Sequence, residues 1–263
     1  MSLANVLMTK NSLQCFFRSQ LFPVGRVPPF RRMDSLIMKA LPQIKKLIAS
    51  TIVSITLASW GAVSVAQAES WTPSDGEVLK FDVLRKGKPF GYHTVEFDRD
   101  GDTLNVTNDI ELKVSFGPIR AFYYKHDSVE AWADGKLVSM EGSTRKDGDD
   151  LQLDVDQTDQ GLDINGSSYD GSVSAEMIPS SHWNKAQMAA DQIFSSEDGS
   201  LLDIDVTYVG EEEITAAGET LTADRYTMAS ELSVDLWYDK SGRWVKCAFE
   251  ARGETIEYVL TSS

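Results

Sequence analysis

Cysteine is almost missing from this chain: its 263 residues include two, Cys15 and Cys247. Any processing that removes Cys15 rules out an internal disulfide, so the fold must stand on its core. Histidine is equally scarce, with His93, His126 and His182 the full set. The sequence contains no Gly-x-Ser-x-Gly elbow, no His-Glu-x-x-His, no P-loop and no Gly-x-Gly-x-x-Gly. Hydrolase, nucleotide and dinucleotide readings therefore start without a motif. After Pro73 there is no internal repeat, low-complexity tract or proline-rich linker.

Positive charge is the next scarcity. One apolar run, residues 47–68, follows Lys45-Lys46 and ends Ala66-Gln67-Ala68 before Glu69-Ser70. A basic stretch, an apolar stretch and a small-x-small end make a secretory signal peptide, cut between Ala68 and Glu69. Ser50, Thr51, Ser54, Thr56, Ser59 and Ser64 dilute the run, which argues against a membrane-spanning anchor of about 20 apolar residues. The expectation is a periplasmic protein with no stable membrane anchor after cleavage. Residues 1–37 are long for a basic leader, so translation is expected to begin at Met33 or Met38 rather than Met1. Arg31-Arg32 lies too far from the apolar run to read as a twin-arginine signal, and Cys15 lacks a lipid-attachment context.

Processing deepens the acidity. The leader holds eight basic residues and one acidic, which leaves 17 basic against 39 acidic, a formal charge of −22. Such charge opposes phosphate backbones and anionic lipid surfaces, and no nucleic-acid partner is expected. The predicted domains are residues 1–68, extension and leader, and residues 69–263, a single β-rich unit large enough for a substantial core.

What is abundant is alternation. Leu79, Phe81 and Val83 share one face; Ile110, Leu112, Val114 and Phe116 share another; Leu151, Leu153 and Val155 a third. Later sets are Leu202-Ile204-Val206-Tyr208, Leu232-Val234-Leu236-Tyr238 and Ile256-Tyr258-Leu260. Period-two runs with polar residues between them are half-buried antiparallel strands. Asp100-Gly101, Asp134-Gly135, Asp147-Gly148, Asn165-Gly166, Asp170-Gly171, Asp198-Gly199 and Ser241-Gly242 supply hairpin turns. The predicted fold is all-β and mainly antiparallel: a strongly curved sheet or incomplete β-barrel of roughly eleven strands. One short helix is expected over residues 184–194, capped by Asn184 with Gln187 three residues on.

Candidate chemistry centres on aromatics. Phe122, Tyr124 and Trp132 share a strand face with His126 and Glu130, and Trp183, Trp237, Tyr238 and Trp244 follow. Amphipathic rings of this kind commonly line apolar pockets. The candidate ligand contacts are thus Phe122, Tyr124, His126, Trp132, His182, Trp183, Trp237 and Tyr238. His93 is a possible polar site facing the interior with Val95 and Phe97. His126 and Glu130 lie about 13 Å apart along an extended strand, too far to share a metal. The run from Asp147 to Asp163 lacks the calcium-loop spacing, so neither metal nor cofactor is expected. Cys247 shares parity with Val245 and Phe249 and reads as a small buried hydrophobe.

Four short motifs carry a resemblance. Gly87-Lys88-Pro89-Phe90-Gly91-Tyr92-His93, Glu130-Ala131-Trp132-Ala133-Asp134-Gly135-Lys136-Leu137, Ser181-His182-Trp183-Asn184 and Leu236-Trp237-Tyr238-Asp239 look like an exported bacterial family known as a domain of unknown function. The likeness spans residues 77–260 and implies export and one β domain, with no catalytic assignment. By layout the chain is also similar to periplasmic lipoprotein carriers, half-open barrels whose helical lid covers acyl chains. The leading expectation is a non-catalytic binding or carrier protein with a hydrophobic small molecule or lipid inside a curved sheet. Docking to envelope proteins through a sheet edge comes second, and a hydrolase pairing a histidine with a carboxylate comes third.

Overall fold

In the computed structural model, the structure describes residues 71–263 apart from residues 117, 118 and 252. The predicted leader, the cut between Ala68 and Glu69 and the choice of start codon lie outside the described residues.

Eight strands run up and down in order: β1 (Glu77–Arg85), β2 (Lys88–Asp100), β3 (Thr103–Phe116), β4 (Ile119–Ala133), β5 (Lys136–Lys146), β6 (Asp149–Thr158), β7 (Gly161–Gly166) and β8 (Asp170–Val173). A second meander holds β11 (Asp205–Ala216), β12 (Glu219–Ala229), β13 (Val234–Asp239), β14 (Trp244–Ala251) and β15 (Glu254–Ser262). Between the meanders lies a strap, residues 174–204, with β9 (Gln192–Phe194) paired to β10 (Leu201–Asp203). β1 pairs antiparallel with β15, fusing both meanders into one 13-stranded sheet that runs from β11 to β8. Thr261 Oγ1 donates to the Lys80 carbonyl at 2.9 Å across that seam. β8 and β11 are the two ends of the sheet and do not pair with each other, so the barrel is incomplete.

The all-β, antiparallel expectation holds, while the strand number rises to fifteen among the described residues. The additional elements β8, β9 and β10 span three or four residues each, too few to display an alternation. The expected helix over 184–194 is a five-residue 3-10 turn, Lys185–Ala189. Asn184 does cap it, its side chain accepting from the Ala186 N–H at 3.0 Å. Ala190 is already extended, and the chain enters β9, where Ile193 and Phe194 are fully buried. Burying two large apolar side chains is worth about 1.5–3 kcal/mol each, which overrides the weak helical preference of a short alanine-rich stretch. Asp134-Gly135 and Asp147-Gly148 form tight turns with all four residues at positive φ. Asn165-Gly166 and Asp170-Gly171 instead lie within β7 and β8.

Register aligns the interior in rows. Phe81, His93, Ile110, His126 and Thr144 are successive cross-strand partners. The next row runs Val95, Asn108, Ser128, Gly142 and Leu153, and the next Phe97, Val106, Glu130, Met140 and Val155. Polar side chains therefore occupy the middle of an otherwise apolar face. The strap seats against this sheet at glycines: a Cβ on Gly166 would lie 2.3 Å from the Asp198 carbonyl oxygen. Only glycine permits that approach.

β14 departs from simple alternation. Trp237 faces Lys246 and Tyr238 faces Trp244, so Val245 is an extra residue in the ladder. The bulge turns Trp244 inward, where it is fully buried, although strict parity with Lys246 predicts the opposite face. Cys247 is buried as expected, and burial pushes its thiol well above the usual range. A native sample treated with iodoacetamide at pH 8 is expected to leave Cys247 unmodified, with rapid labelling in denaturant, as mass spectrometry would read. Fast labelling of the folded protein contradicts that placement.

Candidate functional site

The interior polar cluster is built around Glu130 of β4, which has no solvent exposure. Its even-numbered neighbours His126, Ser128 and Trp132 point inward with it, whereas Asp127 and Val129 point out. Trp132 Nε1 donates to Glu130 Oε2 at 2.8 Å, and Trp183 Nε1, reaching in from the strap, donates to the same oxygen at 2.9 Å. Asn108 Nδ2 donates to Glu130 Oε1 at 3.1 Å. Burial pushes the Glu130 carboxyl above its ordinary value, and donors from Trp183, Trp132 and Asn108 pull it back. Ser181 Oγ pulls on the carboxylate through proximity and completes no hydrogen bond of good geometry.

Because Asn108 spends its amide N–H on Glu130 and on Ser128 Oγ, its carbonyl oxygen turns to His93 Nε2 at 3.3 Å. That oxygen is an acceptor, so Nε2 carries the proton and Nδ1 of His93 is a buried lone pair without a partner. Burial drives the His93 pKa down to about 3. The imidazole lies among Trp244, Phe81 and Tyr258, with ring centres 5.4, 6.0 and 5.9 Å away. His126 Nδ1 bonds Thr144 Oγ1 at 2.8 Å, and His182 Nδ1 bonds Gln187 Oε1 at 3.1 Å. Burial lowers the pKa of both. Each histidine thus holds a neutral partner: an amide, a hydroxyl, an amide. The histidine–carboxylate pair on which the hydrolase expectation depends is not formed among the described residues.

The strap is fastened at a second point. Tyr238 OH donates to the His182 carbonyl at 2.9 Å and accepts from Gln187 Nε2 at 3.0 Å. His182 takes φ +67° there, a left-handed backbone uncommon outside glycine. Trp183 packs edge-on against Phe97 and Trp132, at 5.5 and 5.4 Å between ring centres. These rings fill the space that the sequence reading assigned to a guest.

The structure divides the sequence-predicted contacts four ways. His93, His126, Trp132, His182, Trp183 and Tyr238 belong to the packed interior or its strap. Tyr124 is half-buried, its hydroxyl bonded to Glu197 Oε1 at 3.0 Å. Trp237 sits on the other face of β13, covered by the Arg225 guanidinium and Lys246 ammonium at 5.0 and 4.8 Å, its N–H on Glu212. Phe122 lies near one rim, stacked on Phe90 at 5.5 Å.

That rim carries a groove of about 400 Å³, lined by Arg85, Lys86, Lys88, Phe90, Lys113 and Glu254, with Pro89 and Val114 completing it. Arg85 and Lys86 both pair with Glu254, and Lys113 pairs with Glu111 at 2.9 Å. Lys88 has no carboxylate partner among the described residues. A second groove of about 590 Å³ lies at the opposite rim, beside Asp75, Glu77, Lys80 and Arg243. The first groove's lining was missed from the sequence as a candidate set. Its basic members are scattered over residues 85–113 and meet only because β2 and β3 pair. No group of three or more histidine, cysteine or acidic side chains is placed to hold a metal among the described residues.

With this geometry in hand, residues 81–261 match the family described as a domain of unknown function, DUF6134, and the chain belongs to that family. No curated protein matches. Among solved structures, the chain is similar to a beta-barrel-like protein of another domain of unknown function, DUF1849, from Brucella abortus. The TM-score is 0.52 at 10% identity, over 70% of this chain and 94% of that one. At that identity the likeness concerns the fold alone.

Proposed function

We propose that this member of the DUF6134 family is a non-catalytic periplasmic binding or carrier protein that holds one lipid-like ligand with an anionic head at its rim groove. The observation that carries the reading is the groove itself. Four of the 17 basic residues of the processed chain surround it, beside the stacked Phe90–Phe122 pair. Its volume of about 400 Å³ lies within the range of ligand sites, roughly 300–1,000 Å³.

Placing the ligand at the rim follows from the interior, where Trp132, Trp183, Tyr238 and Trp244 leave their own side chains in the guest's position. The overall charge of −22 and this basic groove are compatible. At physiological salt, charges are screened beyond about 8 Å, so a head group in the groove feels its cations first. A broad anionic bilayer meets the acidic remainder as well, and the net charge opposes it. The cations of the Glu254 and Glu111 pairs are largely exposed, where ion pairs contribute little, so a phosphate can displace them readily.

Dodecyl phosphate below its micellar concentration is the direct probe, with dodecyl maltoside and inorganic phosphate as controls, by titration calorimetry. Dodecyl phosphate is expected to bind at least tenfold more tightly than either control. Lys88→Glu with Lys113→Glu should remove most of that preference without altering the fold. Equal binding of dodecyl maltoside, or no effect of the charge reversals, overturns the proposal.

A further inference from the structure

One long sheet edge is left open. β11 ends the sheet, and its twelve residues pair on one side only, with β12. Among the described residues no backbone group from 205 to 216 bonds any backbone other than that of β12. The opposite end of the sheet, β8, is four residues long. The C-terminal end of β11 lies against β15, where Ala216 is buried and the Ala217 N–H bonds the Leu260 carbonyl at 2.7 Å. The exposed remainder is a ready template for another strand, and proteins normally blunt such edges.

The composition of β11 shows which partners it refuses. Asp205, Glu211, Glu212 and Glu213 give it four acids, and it contains no Lys or Arg. Glu211 and Glu212 pair with Lys240 and Arg225, while Asp205 and Glu213 have no ion-pair partner among the described residues. A second copy laid along this edge sets acids against acids, and like charges on facing strands repel. Beside the acids, Tyr208 and Val209 are 54% and 49% exposed, a rare apolar step on this surface. A bulge at Tyr208–Gly210, with Gly210 at φ +141°, separates the apolar half from the acidic half.

We infer that β11 receives an extended segment of a different protein, one that carries Lys or Arg at alternate positions and an apolar residue to lie beside Tyr208 and Val209. Main-chain hydrogen bonds supply the attachment, and the acids supply the selection. This surface is separate from the rim groove, and the inference does not rest on the lipid reading.

The probe is an acetylated, amidated peptide, Lys-Val-Thr-Val-Lys-Val-Lys, with the same peptide carrying Glu for Lys as control. Amide hydrogen exchange of the full processed chain is expected to slow within 205–216 when the Lys peptide is added, and to remain unchanged with the Glu peptide. Asp205→Lys with Glu213→Lys, both exposed, should weaken the Lys peptide at least tenfold and admit the Glu peptide. Raising the salt from 0.05 to 0.5 M, roughly a threefold shorter screening length, should weaken it as well. Protection elsewhere, equal protection by both peptides, or a concentration-dependent homodimer that protects 205–216 without peptide overturns the inference.

Discussion

Acidification from pH 6.5 to 4.5 is expected to remove about 2 kcal/mol of folding stability through His93 alone. Its folded pKa of about 3 lies far below the 6.5 of an unfolded histidine. A base with a depressed folded pKa leaves stability intact above the unfolded value. Below pH 6.5 the unfolded chain gains a proton that the native site refuses, costing up to about 1.4 kcal/mol per pH unit. His126 and His182 are shifted in the same direction by burial and steepen the fall. Glu130 runs the other way. Its raised pKa means the native state takes up a proton first, so that group gains stability as pH falls toward the unfolded value of 4.5. Denaturant unfolding at pH 7, 6 and 5 measures the slope. His93→Gln keeps a donor for Asn108 and removes the titration, so its slope should be shallower by close to one proton. Parallel slopes for the two proteins would falsify the assignment.

Truncating the strap's anchor is the second large effect. Trp183→Ala is expected to destabilise by about 3–5 kcal/mol, the range for deleting a large buried ring. It also strips one donor from a fully buried carboxylate. Trp183→Phe keeps much of the ring packing against Phe97 and Trp132 and loses the N–H, so its cost is expected near 1–3 kcal/mol. The discriminating measurement is a double-mutant cycle of Trp183→Phe with Glu130→Met, which removes the acceptor. If Trp183 and Glu130 act through their hydrogen bond, the two losses should fall short of additivity by about 1 kcal/mol or more. Strict additivity removes the bond from the explanation and leaves packing alone. Limited proteolysis should cut the Trp183→Ala protein first within 174–204, since the strap loses its fastening there.

Much of this architecture was legible in the residues. Leu79-Phe81-Val83 and Ile256-Tyr258-Leu260 declared strands by alternation, and Asp134-Gly135 and Asp147-Gly148 declared tight turns by their need for positive φ. Parity also placed His93 on an inward face and put His126 and Glu130 on one shared face, and all three are buried. What parity does not carry is the distance between strands remote in sequence. Trp183 meets Glu130 across 53 residues, and only the folded sheet brings them together. Trp244 was misplaced for a local reason, since one inserted residue reverses every side chain beyond it. The interior itself was misread in kind. Aromatic residues on inward faces are compatible with either a lined cavity or a packed column, and ring-to-ring contacts decide for the column.

The seam between β1 and β15 bears on how the molecule comes into being. The first strand has its final neighbour only when the last is made, so neither meander can be sewn to the other while the chain is still being synthesised. Loop closure over such a span is entropically slow. A nascent polypeptide of this design completes its sheet only once β15 has been made, so the seam is the last joint to close.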